Sequence, residues 1–133
     1  MLTRIHHVGI VVASLDEAYK LWRDALGLKV EKTATLEDQG VKAALLPTKN
    51  GEIELLEPLS ADNSIGRFLS RRGGGLHHLC FETDDIAREL DTARRLGLPL
   101  IDQRPRRGLA GTICFLHPKA CLGVLVEYAQ VIE

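Results

Sequence analysis

The sequence predicts an α+β fold of two tandem βαβββ modules, and three observations carry that expectation. The pattern Ile5-His6-His7-Val8-Gly9-Ile10 returns as Leu76-His77-His78-Leu79-Cys80-Phe81, 71 residues further on; self-similarity at a fixed spacing marks a duplicated unit. Each copy leads into an amphipathic stretch that stops at Leu-Gly-Leu, at Leu26-Gly27-Leu28 and again at Leu96-Gly97-Leu98. Each stretch is followed by three short β-type runs separated by turn residues.

The elements follow in order. After the first strand, Ser14 or Asp16 can accept the free N–H groups of a helical first turn, as Asp84 or Asp85 can in the second copy. Leu15, Ala18, Tyr19, Trp22 and Ala25 recur at helical spacing, and Ile86, Leu90, Ala93 and Leu96 do the same, so each helix lays one apolar face on a sheet. Gly27 and Gly97 stand where a left-handed terminal residue is wanted. The β-type runs in the first module are Leu28 to Leu36, Val41 to Leu46 and Ile53 to Glu57; in the second, Leu100 to Gln103, Thr112 to His117 and Val124 to Tyr128. A glycine-containing loop spans Gly108 to Gly111, a short helix is expected over Ser64 to Arg71, and Gly73-Gly74-Gly75 reads as a flexible joint. One βαβββ unit leaves a sheet face uncovered, and pairing two completes it.

Composition narrows the class. At 133 residues the expectation is one domain, 1–133, with module 1 at about 1–59, a linker at 60–75 and module 2 at about 76–133. A net charge of -1 gives no reason to expect nucleic acid or an anionic membrane as partner. The first residues lack the charged-then-apolar layout of a signal peptide, and no apolar run is long enough to span a bilayer, so a cytoplasmic location is expected. Cys80, Cys114 and Cys121 are odd in number and lack CxxC spacing; they read as small buried or half-buried apolar residues.

Strand alternation sorts the histidines. Parity puts His7 with Ile5 and Gly9, opposite the more continuously apolar face of His6, Val8, Ile10 and Val12, which should pack on a helix. His78 likewise lies with Leu76 and Cys80, opposite Leu79 and Phe81. The last strand of each module carries an acid in an apolar run, Glu54 in the first and Glu127 in the second. Buried alone, such a carboxylate is costly unless paired or bound to a metal. Each module thus offers one imidazole and one carboxylate, His7 with Glu54 and His78 with Glu127, a set suited to Co, Ni, Mn, Zn or Fe with positions left open for water or substrate. His6 and His77 are candidate outer partners of these ligands. A single strand histidine is commonly a core or surface residue; the duplication argues for the metal.

From these residues the chain resembles the vicinal oxygen chelate superfamily, in which two βαβββ modules form a cupped mixed sheet around a divalent metal, with helices on the outer face. Within it the chain is most similar to the methylmalonyl-CoA epimerases, through His7-Val8-Gly9-Ile10, Gln39-Gly40-Val41, Glu54-Leu55-Leu56-Glu57-Pro58-Leu59, Gly75-Leu76-His77-His78, Phe115-Leu116-His117-Pro118-Lys119 and Gly123-Val124-Leu125-Val126-Glu127. The resemblance implies metal ligands His7, Glu54, His78 and Glu127, with cobalt the ion the family suggests and nickel, manganese or zinc as alternatives. It implies inversion at C2 of methylmalonyl-CoA through an enolate, Glu127 and Glu54 as the proton-transfer groups, Lys119 and Gln39 as substrate contacts, and a homodimer. Some epimerases carry a glutamate at the position of Ala43, which cannot take a proton; an ordered water is the alternative to Glu54 as the second group. Arg104, Arg106 and Arg107 are either CoA-phosphate contacts or a solvated basic loop. The competing readings are a lactoylglutathione lyase, a binding module of the same fold without catalysis, and an extradiol-type oxygenase, whose two-histidine, one-carboxylate iron site a fourth protein ligand would crowd.

Overall fold

The computed structural model describes residues 1–131. Its strands are β1 (Leu2–Val11), β2 (Lys32–Leu36), β3 (Val41–Thr48), β4 (Gly51–Pro58), β5 (Gly75–Thr83), β6 (Arg106–Gly108), β7 (Gly111–Leu116) and β8 (Val126–Gln130), and its α-helices are α1 (Leu15–Tyr19), α2 (Ser64–Arg72) and α3 (Ile86–Arg95). The chain divides into two compact units, Val8–His77 and a second made of Met1–His7 with the chain from His78 on. The expected end of the second module, 133, lies outside the described residues.

In the unit Val8–His77 the strands are ordered β2-β3-β4-β1. Ser14 caps α1 by accepting from the Glu17 amide, and the helix widens into a π-helical turn, Lys20–Ala25, before Gly27 ends it at φ +79°. Its apolar face covers Ile10, Ala44, Leu46 and Leu55, with Val8, Val12, Tyr19 and Trp22 around them, which is the face that parity assigned to Val8, Ile10 and Val12. The opposite face of β3 and β4 carries Ala43 paired with Leu56 and Leu45 paired with Glu54. Leu28 and Val30, expected in a strand, instead pack on the α1 core, and β2 begins only at Lys32. Within the triple glycine, Gly73 terminates α2 in the left-handed region, and a Cβ on Gly74 would stand 2.7 Å from the Val11 carbonyl oxygen.

In the other unit the order is β1-β5-β8-β7-β6, with β5 parallel to β8 and β8-β7-β6 antiparallel. The first residues of β1 are tied to this unit by side chains: Arg4 pairs with Glu82 at 3.1 Å, and the Met1 ammonium with Asp84 and Glu89. Asp85 caps α3 by accepting from the Arg88 amide. One face of the strands packs on α3 through Cys114, Leu116, Val126, Tyr128 and Phe81; the other presents Cys80, Ile113, Phe115 and Ala129.

The second strand of this module is β6, Arg106–Gly108, rather than Leu100 to Gln103, where only an isolated Leu100–Leu116 bridge forms. Asp102 explains the shift. Its carboxylate accepts from the Phe115 amide at 2.8 Å and from Arg106 Nε at 3.0 Å, so a side chain takes the place a strand's carbonyls would fill. The Gly108–Gly111 loop is the hairpin between β6 and β7. The three cysteines are thiols rather than disulfides, Cys80 and Cys114 buried and Cys121 partly so, and burial pushes the Cys114 thiol up to about 12.

Candidate metal centre

Three strands each deliver one buried polar side chain to a common point. β1 supplies His7, β5 supplies His78 and β8 supplies Glu127, at 1%, 6% and 4% exposure. The His7 and His78 Nε2 atoms are 3.0 Å apart, and Glu127 Oε1 lies 2.9 Å from the first and 3.0 Å from the second. The hydrophobic alternation of β8 forces this placement. With Val126 and Tyr128 turned to α3, Glu127 has to face the other way, beside Phe115, whose ring meets His78 edge to face at 5.5 Å.

Electrostatics set the state of the acid. Burial alone would raise the Glu127 carboxyl above its ordinary value, but the two imidazoles at Oε1 outweigh it and hold the group lower, so it is ionised at neutral pH. Yet Oε1, near both ring nitrogens in distance, is hydrogen-bonded to neither in direction and has no hydrogen-bond partner among the described residues. A buried oxygen left in that condition costs free energy in proportion to its charge.

The arrangement fits a divalent cation. With their donor atoms about 3 Å apart, His7, His78 and Glu127 would hold one ion at ordinary metal–N and metal–O distances of ~2.0–2.2 Å. Two imidazole nitrogens and a carboxylate oxygen are the donor types such ions take.

Glu54, at 6% exposure on β4, is buried in the unit Val8–His77 on the face turned away from α1. Ala43 is fully buried and stands opposite Leu56 in the β3–β4 register. Gln39 ends a short 3-10 turn, Glu37–Gln39, whose following residue, Gly40, is held at its carbonyl by Asn63. Lys119 is exposed in the turn Pro118–Cys121, its amide donating to His117 Nδ1 at 3.1 Å. Arg106 is no solvated loop residue: it pairs with Asp102 and lies over the Phe115 ring. The His77 ring packs edge to face on Phe68.

His6 does approach. Strict alternation would set its ring apart from that of His7, but the two meet nearly perpendicular, Nδ1 to Nδ1 at 2.8 Å, and Cys80 Sγ lies within 4.8 Å of both. Burial, then the neighbouring His7 ring, lowers the pKa of His6.

Sequence reasoning missed a second duplicated device. Three residues beyond each acid, Glu57 accepts from the Leu15 amide at 2.8 Å and Gln130 from the Ile86 amide at 3.0 Å, each tying the strand to the first turn of its helix. Odd spacing on a strand turns these side chains to the helix face while Glu54 and Glu127 take the other. The signal was present in the repeat as a polar residue at the same offset.

Residues 6–115 match the model of the glyoxalase/bleomycin resistance protein/dioxygenase superfamily. The chain is 36% identical over 97% of its length to the mitochondrial methylmalonyl-CoA epimerase of Mus musculus, covering 74% of that protein. It is 37% identical over 98% of its length to the ethylmalonyl-CoA/methylmalonyl-CoA epimerase of Cereibacter sphaeroides, covering all of it. The chain belongs to the methylmalonyl-CoA epimerase family. It also superposes on the Streptomyces coelicolor methylmalonyl-CoA epimerase, solved with 2-nitronate-propionyl-CoA, with a TM-score of 0.94 at 37% identity over the full length of both chains. As a methylmalonyl-CoA epimerase family member it is an enzyme with the superfamily's α+β fold of tandem βαβββ modules. No helix among the described residues is long and apolar enough to cross a membrane.

Proposed function

We propose that this enzyme inverts C2 of methylmalonyl-CoA by removing and returning the C2 proton through the substrate's enolate, with a divalent metal held by His7, Glu54, His78 and Glu127. The observation that carries the reading is Glu127 Oε1, an ionised, buried oxygen with no hydrogen-bond partner among the described residues and two imidazole nitrogens beside it. Its orphaned state is what a bound cation would relieve. Glu54 is the fourth ligand on the strength of the repeat, its burial, and its turn away from the α1 core. Cobalt is the family's ion; the donor types suit nickel, manganese and zinc as well.

The chemistry follows from the substrate. Its C2 proton lies between a thioester and a carboxylate, so losing it leaves a planar enolate that needs stabilisation at oxygen. A bound divalent ion supplies that stabilisation as a Lewis acid. Glu127, kept ionised, is in the form that accepts the proton, and Glu54 is the partner that returns one to the other face. The nitronate ligand of the Streptomyces coelicolor enzyme supports this course, since a nitronate is a planar anion like an enolate. Lys119 meets the substrate carboxylate or a CoA phosphate, and Gln39 contacts the substrate from its turn. The same reading has one domain over 1–133, a homodimer, and a cytoplasmic location.

Parallel assays on methylmalonyl-CoA and on a glutathione hemithioacetal test it. Metal-dependent interconversion of the two C2 epimers, with no turnover of the hemithioacetal, is expected; the reverse preference would replace the epimerase by a lyase-type isomerase.

A further inference from the structure

We infer that His6 is a positioning residue that holds His7 in the one tautomer able to bind a cation. The inference rests on the metal reading of the centre and concerns the ring nitrogen of His7 that faces away from it.

A neutral imidazole has one protonated and one unprotonated nitrogen. For His7 to offer the Nε2 lone pair toward the point it shares with His78 Nε2 and Glu127 Oε1, its proton must sit on Nδ1. His7 is 1% exposed, so that N–H has to find its acceptor inside the protein. His6 Nδ1 stands 2.8 Å from it. The pairing fixes both rings: His7 donates from Nδ1, and His6 accepts at Nδ1 with its own proton on Nε2.

Without His6 the balance reverses. The other tautomer of His7 carries its proton on Nε2, 2.9 Å from the ionised Glu127 Oε1, and that proton occupies the place of the cation. Metal then binds only after the proton is displaced. Hydrogen-bond partners of metal-bound histidines are ordinarily carboxylates or backbone carbonyls, and losing one costs about 10–100-fold in metal affinity. Here the neighbouring residue on the same strand takes that part, as the ring contact between His6 and His7 permits.

The test is zinc affinity, measured by chelator competition on the metal-stripped full chain, for wild type, His6→Leu and His6→Asn. Asparagine keeps an acceptor oxygen near the position of Nδ1; leucine keeps only bulk. His6→Leu should weaken zinc binding by about 10–100-fold and His6→Asn should stay close to wild type. Nitrogen-15 spectra of histidine-labelled, zinc-loaded wild type should show His7 protonated at Nδ1, a readout that needs no variant to fold. Wild-type affinity in His6→Leu, equal losses in both variants, or an unprotonated His7 Nδ1 would each overturn the proposal. Wild-type protein that binds no zinc, cobalt or other divalent ion would instead overturn the metal reading beneath it.

Discussion

Replacing Glu127 by glutamine keeps the shape of the side chain and removes its charge, so the change falls on the cation rather than on packing. The magnitude follows from linkage. At a metal concentration about 100 times the wild-type dissociation constant, binding to the folded state stabilises it by about 2.7 kcal/mol. With an unfolding entropy of ~2.1 cal/mol/K per residue, the 133 residues give roughly 0.28 kcal/mol per degree, so the melting temperature rises by about 10 °C. Glu127 Oε1 is one of three donors within 3.0 Å of one another and the charged one among them. Losing a ligand should cost at least as much as the upper end of the ~10–100-fold range for losing a mere outer partner, about 100-fold. At the same metal concentration the variant is then half-loaded, its gain falls to about 0.4 kcal/mol, and its melting point moves by only about 1–2 °C. Calorimetric scans of stripped and metal-loaded protein read this directly. Equal metal-induced shifts in wild type and Glu127→Gln would refute the placement of Glu127 in the centre.

Three further outcomes are expected. Glu127 has a folded pKa below its ordinary value of 4.5, so it contributes stability that is present above that value and lost as pH falls through the lower one; urea melts of metal-free protein should decline more steeply with acid in wild type than in Glu127→Gln, and parallel curves would contradict the assignment. Lys119→Ala should raise KM for the CoA thioester while leaving kcat nearly unchanged, because an exposed turn lysine offers binding that is equal in ground and transition states; a fall in kcat alone would place it in the chemistry instead. Leu90→Ala, emptying a site 1% exposed between α3 and Cys114, should cost about 2–5 kcal/mol in denaturant unfolding with the metal affinity kept, and a cost near zero would mean α3 is not packed as described.

Much of the fold was legible because duplication states each signal twice. Ser14 and Asp85 cap their helices, Gly27 and Gly97 end them, and the apolar parity of β1 and β8 fixes which face His7 and Glu127 take. The short strand β6 was not legible, since its position depends on Asp102 reaching the Phe115 amide, a contact between residues 13 apart that no periodicity announces. Nor was the π-helical turn after α1, where apolar spacing does not distinguish the wider winding. In the site, residue types and spacing named His7, His78 and Glu127, and the structure brings them together. The contact between His6 and His7 is one that strict strand alternation does not announce. The pairing of Glu57 and Gln130 with helix amides shared the repeat with the acids but lay outside their apolar context.

The most direct test of the account is deuterium uptake from solvent at C2 of methylmalonyl-CoA, followed by mass or proton spectra with defined metals added to stripped enzyme. Rapid exchange is expected in wild type only when a divalent ion is present, and it should be lost in Glu127→Ala. Exchange undiminished in that variant, or equally fast without metal, would contradict it.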